Sequence, residues 1–409
     1  MTAPTMEPEP MTAPPSTPPA TPMSEPMSEP VSEPPPAPAA PPTATAPAPV
    51  LVLAPAPAPL VITADCAYAA RLVYDAGSWF PERWTLDSPE PYAVPLPGGQ
   101  PEEPGTEVLP MADGRVLIHR VVDGRHAFCL LYPTGPGTGE VPLGGIDCGT
   151  DRLSLLPPSP GGTRAYAIAV GPESTDLWLV AGGAFGPEHL AEIPGRCSGG
   201  VWLDGEGRIL ALDRELDGRV KAVAIDLGRD GELSPLLQIA EESDDRVLLA
   251  DADSGLLLVR SDAPGHDRLG WGVLGGTRPV RFPECLRLPD LAVTPFAIQP
   301  GQTLMPESCA VALRIDGAAG SWLGIWRPAE RRLRQLAAPG GWLAGAGWWT
   351  RAGVLRLPYA TGVAPCGVAE VETPAPEAES AGPQEAPAPV AARPVPLQQA
   401  PLTGRAGVG

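Results

Sequence analysis

The chain has 409 residues and a formal charge of -20, with 28 basic against 48 acidic side chains. That balance repels phosphate backbones and excludes a nucleic-acid binder unless a basic patch is built locally. Its 58 prolines and 47 glycines cut the sequence into short runs, so nothing long and helical competes with a reading in strands.

Residues 1–60 consist almost wholly of Pro, Ala, Thr, Ser, Glu and Met and contain no aromatic until Tyr68. Such a segment holds too little apolar surface to offset the entropy of ordering, and a disordered, locally polyproline-like tail is expected. Within it, Met23-Ser-Glu-Pro, Met27-Ser-Glu-Pro and Val31-Ser-Glu-Pro repeat every four residues. A solvated acidic tail accounts for them, with phosphorylation at Ser24, Ser28 and Ser32 as the alternative. The opening residues carry neither the basic group nor the apolar run of a secretion signal. Val50-Leu-Val-Leu-Ala is far too short to cross a bilayer, so no membrane contact and a cytoplasmic address are the default expectations.

From about Arg71 onward a phrase recurs with a period of roughly 45–50 residues, the mark of a propeller or a similar array. Its closing strands read Tyr92-Ala-Val-Pro-Leu, Gly139-Glu-Val-Pro-Leu, His189-Leu-Ala-Glu-Ile, Ser234-Pro-Leu-Leu-Gln, Pro279-Val-Arg-Phe-Pro, Leu333-Arg-Gln-Leu and Arg393-Pro-Val-Pro-Leu. A second family, read as the inner strands, runs Ala70-Arg-Leu-Val-Tyr, Arg115-Val-Leu-Ile-His, Arg164-Ala-Tyr-Ala-Ile, Arg208-Ile-Leu-Ala-Leu, Gly255-Leu-Leu-Leu-Val, Cys309-Ala-Val-Ala-Leu and Gly353-Val-Leu-Arg-Leu. Most of these follow a glycine turn, as a hairpin feeding a buried strand should. A third family (Arg83-Trp-Thr-Leu, Phe128-Cys-Leu-Leu, Leu177-Trp-Leu-Val and their equivalents) counts the same way. The expected fold is therefore all-β: a seven-bladed β-propeller over residues 61–372, with six blades as the alternative.

Two blades look irregular. Pro81 falls where the first hairpin should run, and Pro/Ala/Glu-rich sequence interrupts the last blade. Residues 373–391 are expected to be a disordered insertion, 392–400 a possible outer strand of the last blade, and 401–409 a tail. The alternative ends the fold near Glu372 and draws that outer strand from Leu60-Val-Ile-Thr. Most of the ten tryptophans are expected to fill the wedges between blades. Trp348-Trp349 is a candidate lining for the central channel.

Chemistry is sparse. No Gly-x-Ser-x-Gly turn occurs; the nearest serines, Ser78, Ser198 and Ser321, do not complete its pair of glycines, and no histidine follows His266. His119 and His126 flank one hairpin and can approach each other, but two more ligands for a metal are not evident. Asp244 to Asp253 and Asp213 to Asp217 resemble fragments of calcium loops and are read as turns. Arg327 to Arg334 holds four arginines and is read as a solvated turn. Cys66, Cys129, Cys148, Cys197, Cys285, Cys309 and Cys366 are scattered, odd in number and without a Cys-x-x-Cys pair, so they are expected as reduced, structural thiols. No catalytic, cofactor-binding or metal residue is assigned, and no cofactor is expected.

The turns Ser159-Pro-Gly-Gly-Thr-Arg, Asp204-Gly-Glu-Gly-Arg and Ala112-Asp-Gly-Arg, with Asp176-Leu-Trp-Leu-Val after the first, resemble the Ser-Pro-Asp-Gly turns of TolB-like propellers. Propellers of that kind also form the N-terminal domain of prolyl oligopeptidase-type serine hydrolases. The resemblance implies a gating or accessory half without the catalytic half, since the chain stops at Gly409 where the α/β domain would begin. The expected function is a non-catalytic, monomeric interaction module that binds a protein or peptide partner. The alternatives are an accessory to a separately encoded hydrolase subunit, and a small-molecule or enzymatic site in the propeller mouth.

Overall fold

The computed structural model describes residues 59–150, 152–301 and 305–373. Within them, 26 strands form seven antiparallel sheets, each contiguous in sequence, and these are the seven blades of a β-propeller. Blade 1 is built from Val61–Ile62, Tyr68–Asp75, Ser78–Thr85 and Tyr92–Pro95, and blade 2 from Glu107–Pro110, Val116–Val122, Arg125–Pro133 and Thr138–Ile146. Blade 3 comprises Leu153–Leu155, Ala165–Val170, Ser174–Ala181 and Glu188–Pro194; blade 4, Arg196–Trp202, Ile209–Leu216, Arg219–Asp226 and Glu232–Leu237. Blade 5 has three strands, Asp245–Ala250, Leu256–Ser261 and Arg268–Val273. Blade 6 has Ala292–Ile298, Val311–Gly317, Gly320–Trp326 and Arg334–Leu336, and blade 7 has Trp348–Trp349, Leu355–Tyr359 and Gly367–Val371.

The ring closes because each blade has two apolar faces. Along a strand successive side chains point to opposite sides, so one strand serves two neighbours. Leu117 and Leu130 of blade 2 pack against Ala167 and Val180 of blade 3. The residues beside them, Val116, Ile118 and Leu131, pack instead against Ala70 and Leu72 of blade 1. Seven such apolar clusters fill the seven gaps between blades, the last joining Leu60, Ala69 and Trp84 of blade 1 to Trp348 of blade 7. All ten tryptophans belong to these clusters or pack on them.

Several expectations are corrected. The strands read as innermost are second in order; another strand precedes each one and lies nearest the axis, from Val61–Ile62 in blade 1 to Trp348–Trp349 in blade 7. The Leu60-Val-Ile-Thr segment supplies the innermost strand of blade 1, pairing Val61 with Ala70, and is therefore not an outer strand of blade 7. Pro279-Val-Arg-Phe-Pro makes only a single bridge, Arg281 to Trp271, rather than a fourth strand. Pro81 does not break blade 1. It sits within the third strand opposite Leu72, and Leu96 N donates to its carbonyl at 2.8 Å. The side of Pro81 that lacks an N–H thus faces the end of the outer strand, where the ladder stops anyway. Trp348 and Trp349 do not line the channel, because adjacent positions on one strand send them into opposite interblade clusters. The expected tail up to residue 58, all but the first residue of the expected insertion 373–391, the possible strand 392–400 and the final tail 401–409 lie outside the described residues.

Candidate binding face

Each blade runs up and down, so the hairpin joining its second and third strands opens at the same end as the crossing to the next blade. This end is called the hairpin face. The opposite end carries the turns between first and second strands, where the repeated glycine motifs lie.

Three polar assemblies tie the hairpin end together. The first is a chain through blade 2. Glu107 pairs with His119 across the ladder, and their side chains meet at 2.9 Å between Oε2 and Nδ1. His119 Nε2 lies 2.9 Å from His126 Nδ1, and His126 Nε2 lies 3.0 Å from the carbonyl of Thr150. Both imidazoles are buried, and His119 stacks on Phe128. His126 Nε2 is the donor to the Thr150 carbonyl, because a carbonyl only accepts.

The second assembly is Asp245, whose side chain is fully buried. It accepts hydrogen bonds from Lys221 Nζ at 2.9 Å, Ser261 Oγ at 2.6 Å and Ile239 N at 2.9 Å, with Ser243 Oγ also at 2.9 Å. Burial alone would raise its carboxyl, but these donors, Ser261 and Lys221 foremost, together hold it below the usual range. Lys221, the only lysine in the chain, thereby fastens blade 4 to blade 5.

The third is Asp213, read from the sequence as part of a turn and found instead inside the second strand of blade 4. A bulge in the innermost strand between Ser198 and Val201 opens over it, and a Cβ on Gly199 would stand 3.2 Å from its Oδ2. Oδ1 accepts from Val247 N at 3.0 Å; Arg246 approaches Oδ2 only to 3.9 Å. Burial pushes this carboxyl up to about 6, and those two partners offset only part of the effect.

The surface of the hairpin face is unusual where blades 1 to 3 meet. Tyr74 (51%), Val121 (56%) and Val122 (50%) stand half exposed on the adjoining hairpins of blades 1 and 2, and Tyr74 packs on Trp79. Between the two blades lies a cavity of about 490 Å³ lined by Pro101, Glu103, Thr106, Val121, Val122 and Glu140 among others. Its wall is rigid: Arg120 grips the buried Glu102 through Nε at 2.8 Å and Nη2 at 2.6 Å and reaches Glu140 at 2.9 Å. On the other side of the same hairpin a second concavity of about 680 Å³ is lined by Gly124, Cys148, Thr150, Arg152 and Arg196.

Other residues singled out in the sequence have ordinary partners. Ser78, Ser198 and Ser321 bond to the Asp75 carbonyl, Arg246 and Asp316, none of them to a histidine. His189 meets Asp176 at 2.9 Å. The stretch from Asp244 to Asp253, read as a turn, is mostly the strand Asp245–Ala250; Asp244 accepts from Val220 N of blade 4, and only Asp251, capping Ser254 N, acts as a turn residue. Arg327 departs from the solvated-turn reading, being buried against Glu330 at 3.3 Å. Among the described residues no three His, Cys, Asp or Glu side chains converge as a metal site. The seven cysteines are free thiols, and burial raises those of Cys129 and Cys366 to about 12, which holds them protonated and unreactive. No helix among the described residues is long and apolar enough to cross a membrane.

The sequence matches no protein-family model and no curated protein. In structure it is similar to the putative TolB from Agrobacterium tumefaciens, at 12% identity and a TM-score of 0.37, over 78% of this chain and 91% of that one. It is also similar to the β-propeller domain of the Trilobed protease from Pyrococcus furiosus, at 11% identity and a TM-score of 0.45, over 76% and 93% of the two chains. Prolyl oligopeptidase B from Galerina marginata gives 12% identity and a TM-score of 0.48, over 78% of this chain and 48% of that one. The chain spans about half the length of that oligopeptidase. The described residues form the propeller and include no α/β-hydrolase domain.

Proposed function

We propose that the protein is a non-catalytic interaction module whose hairpin face docks a partner protein or peptide. The observation that carries this reading is the pair of half-exposed apolar side chains Val121 and Val122 on the wall of the cavity beside the crossing from blade 1 to blade 2, with half-exposed Tyr74 on the blade 1 hairpin. Single exposed apolar residues are common on folded proteins, but several on adjoining hairpins beside a rigid cavity mark an interaction site. The partner that fits is an extended segment with an apolar side chain for the cavity. Glu103 and Glu140 on its wall favour a basic neighbour to that anchor.

The test uses the full chain, panned against a displayed peptide library. Peptides selected by the wild type are expected to bind Val121→Asp/Val122→Asp at least about tenfold more weakly, because a charge in place of each anchor must be desolvated. The melting temperature should stay unchanged, since both positions are exposed. Equal binding by the variant overturns the reading. So does turnover of a peptide or ester panel by wild-type protein that selects no peptide.

A further inference from the structure

We propose that the concavity between Arg152 and Arg196 is an anion-binding subsite of the same face, taking a phosphoryl or carboxylate group carried by an extended peptide. The proposal rests on the binding-face reading and adds the chemistry of a second contact.

The guanidinium groups carry the argument. On this acidic chain most arginines at the hairpin end are neutralised: Arg120 by Glu102 and Glu140, Arg260 by Asp267, Arg314 by Asp316. Among the described residues neither Arg152 nor Arg196 has an ion pair or a side-chain hydrogen bond, yet both line one cavity of about 680 Å³. They come from different blades, Arg152 from the crossing into blade 3 and Arg196 from the start of blade 4.

Three backbone acceptors of the wall are already engaged. The Thr150 carbonyl already accepts from His126 Nε2, and the Val170 carbonyl accepts from Thr150 Oγ1 at 2.9 Å. The Arg152 carbonyl accepts from Val170 N. These three carbonyls are occupied, and the two guanidinium groups are the cationic members of the lining. Gly124, Gly149 and Gly171 lie at the turns around them and put no side chain in the way. Guanidinium groups hold oxyanions through paired N–H donors, which suits phosphate and carboxylate alike. Only the hairpin of Val121, Val122 and Gly124 separates this cavity from the apolar one, so one extended segment can reach both.

The experiment titrates the full chain with inorganic phosphate and with three matched peptides bearing phosphoserine, glutamate or alanine at one position. Binding is followed by calorimetry and by the shift in melting temperature. The expected result is saturable binding of phosphate and of the phosphoserine or glutamate peptide over the alanine one. Affinity should fall at least about tenfold in Arg152→Gln/Arg196→Gln, with the unliganded melting temperature unchanged. The ratio of phosphoserine to glutamate binding distinguishes the two anion sources. Val121→Asp/Val122→Asp should still bind inorganic phosphate; phosphate binding kept there while peptide binding is lost identifies a failure of one contact alone. Absence of binding by phosphate and by both anionic peptides overturns the proposal, as does equal binding by the double glutamine variant. Phosphate binding with no preference for an anionic peptide assigns the cavity to a free ion and overturns its place in a peptide site.

Discussion

Asp213 shows how much one side chain can owe to its neighbours. Its carboxyl, pushed up to about 6 by burial, keeps its proton in the folded chain across a range where the unfolded chain, with a value near 3.9, has lost it. Folding then takes up a proton, so the contribution to stability is complete below about pH 4 and is lost as pH rises to about 6. Asp213→Asn keeps the acceptor for Val247 N and removes the titration. Denaturant midpoints should therefore converge at pH 4 and separate in favour of the variant, by about 1–3 kcal/mol, at pH 8. Parallel profiles for the two proteins would contradict this account. Lys221 is the opposite case. Replacing it by Met leaves the buried Asp245 carboxylate without its cation, and a loss of about 3–5 kcal/mol is expected in urea unfolding. Neither effect was visible in the sequence, where Asp213 read as a turn residue.

Among the structural elements, the glycine turns were legible and the innermost strands were not. The Gly motifs showed because turn chemistry is local: Gly162 adopts a φ of +62°, which only glycine takes at little cost. The turn also abuts the neighbouring blade, since a Cβ at Gly162 would lie 2.6 Å from the Cβ of Ala112. Gly162→Ala should accordingly cost about 1–3 kcal/mol by calorimetry, while the same change at Gly124, which has open space, should cost less. The innermost strands escaped notice for the reverse reason. Two are only two residues long, and those of blades 4, 5 and 6 are broken by register shifts at Ser198/Val201, Val247/Leu249 and Pro295/Ala297. A bulge resets the alternation of side chains, which erases the two-residue period that identifies a strand. The third strands, mostly apolar runs with both faces buried, were read as strands, and only Pro81 in the first was mistaken for a break.

At the scale of the whole molecule, stability depends on a ring that closes through side chains. Among the described residues no strand is shared between blades 1 and 7; Leu60, Ala69 and Trp84 meet Ala346 and Trp348 across the seam. Trp348→Ala opens a cavity at that seam and should cost about 3–5 kcal/mol. Hydrogen exchange should rise first in the strands of blades 1 and 7, whereas uniform loosening of every blade would show that the seam is no weaker than the other interfaces.

Counting strands and locating turns required only the residues themselves, because hairpins and left-handed glycines are set within a few positions of each other along the chain. Which strand lies at the axis, how the seam closes, and which charges stay unpaired were decided by the ring. Arg152 and Arg196 share a cavity, and His126 reaches Thr150, because successive blades pack side by side around the ring. Burial and charge pairing are properties of neighbours in space, and folding into a circle chooses those neighbours.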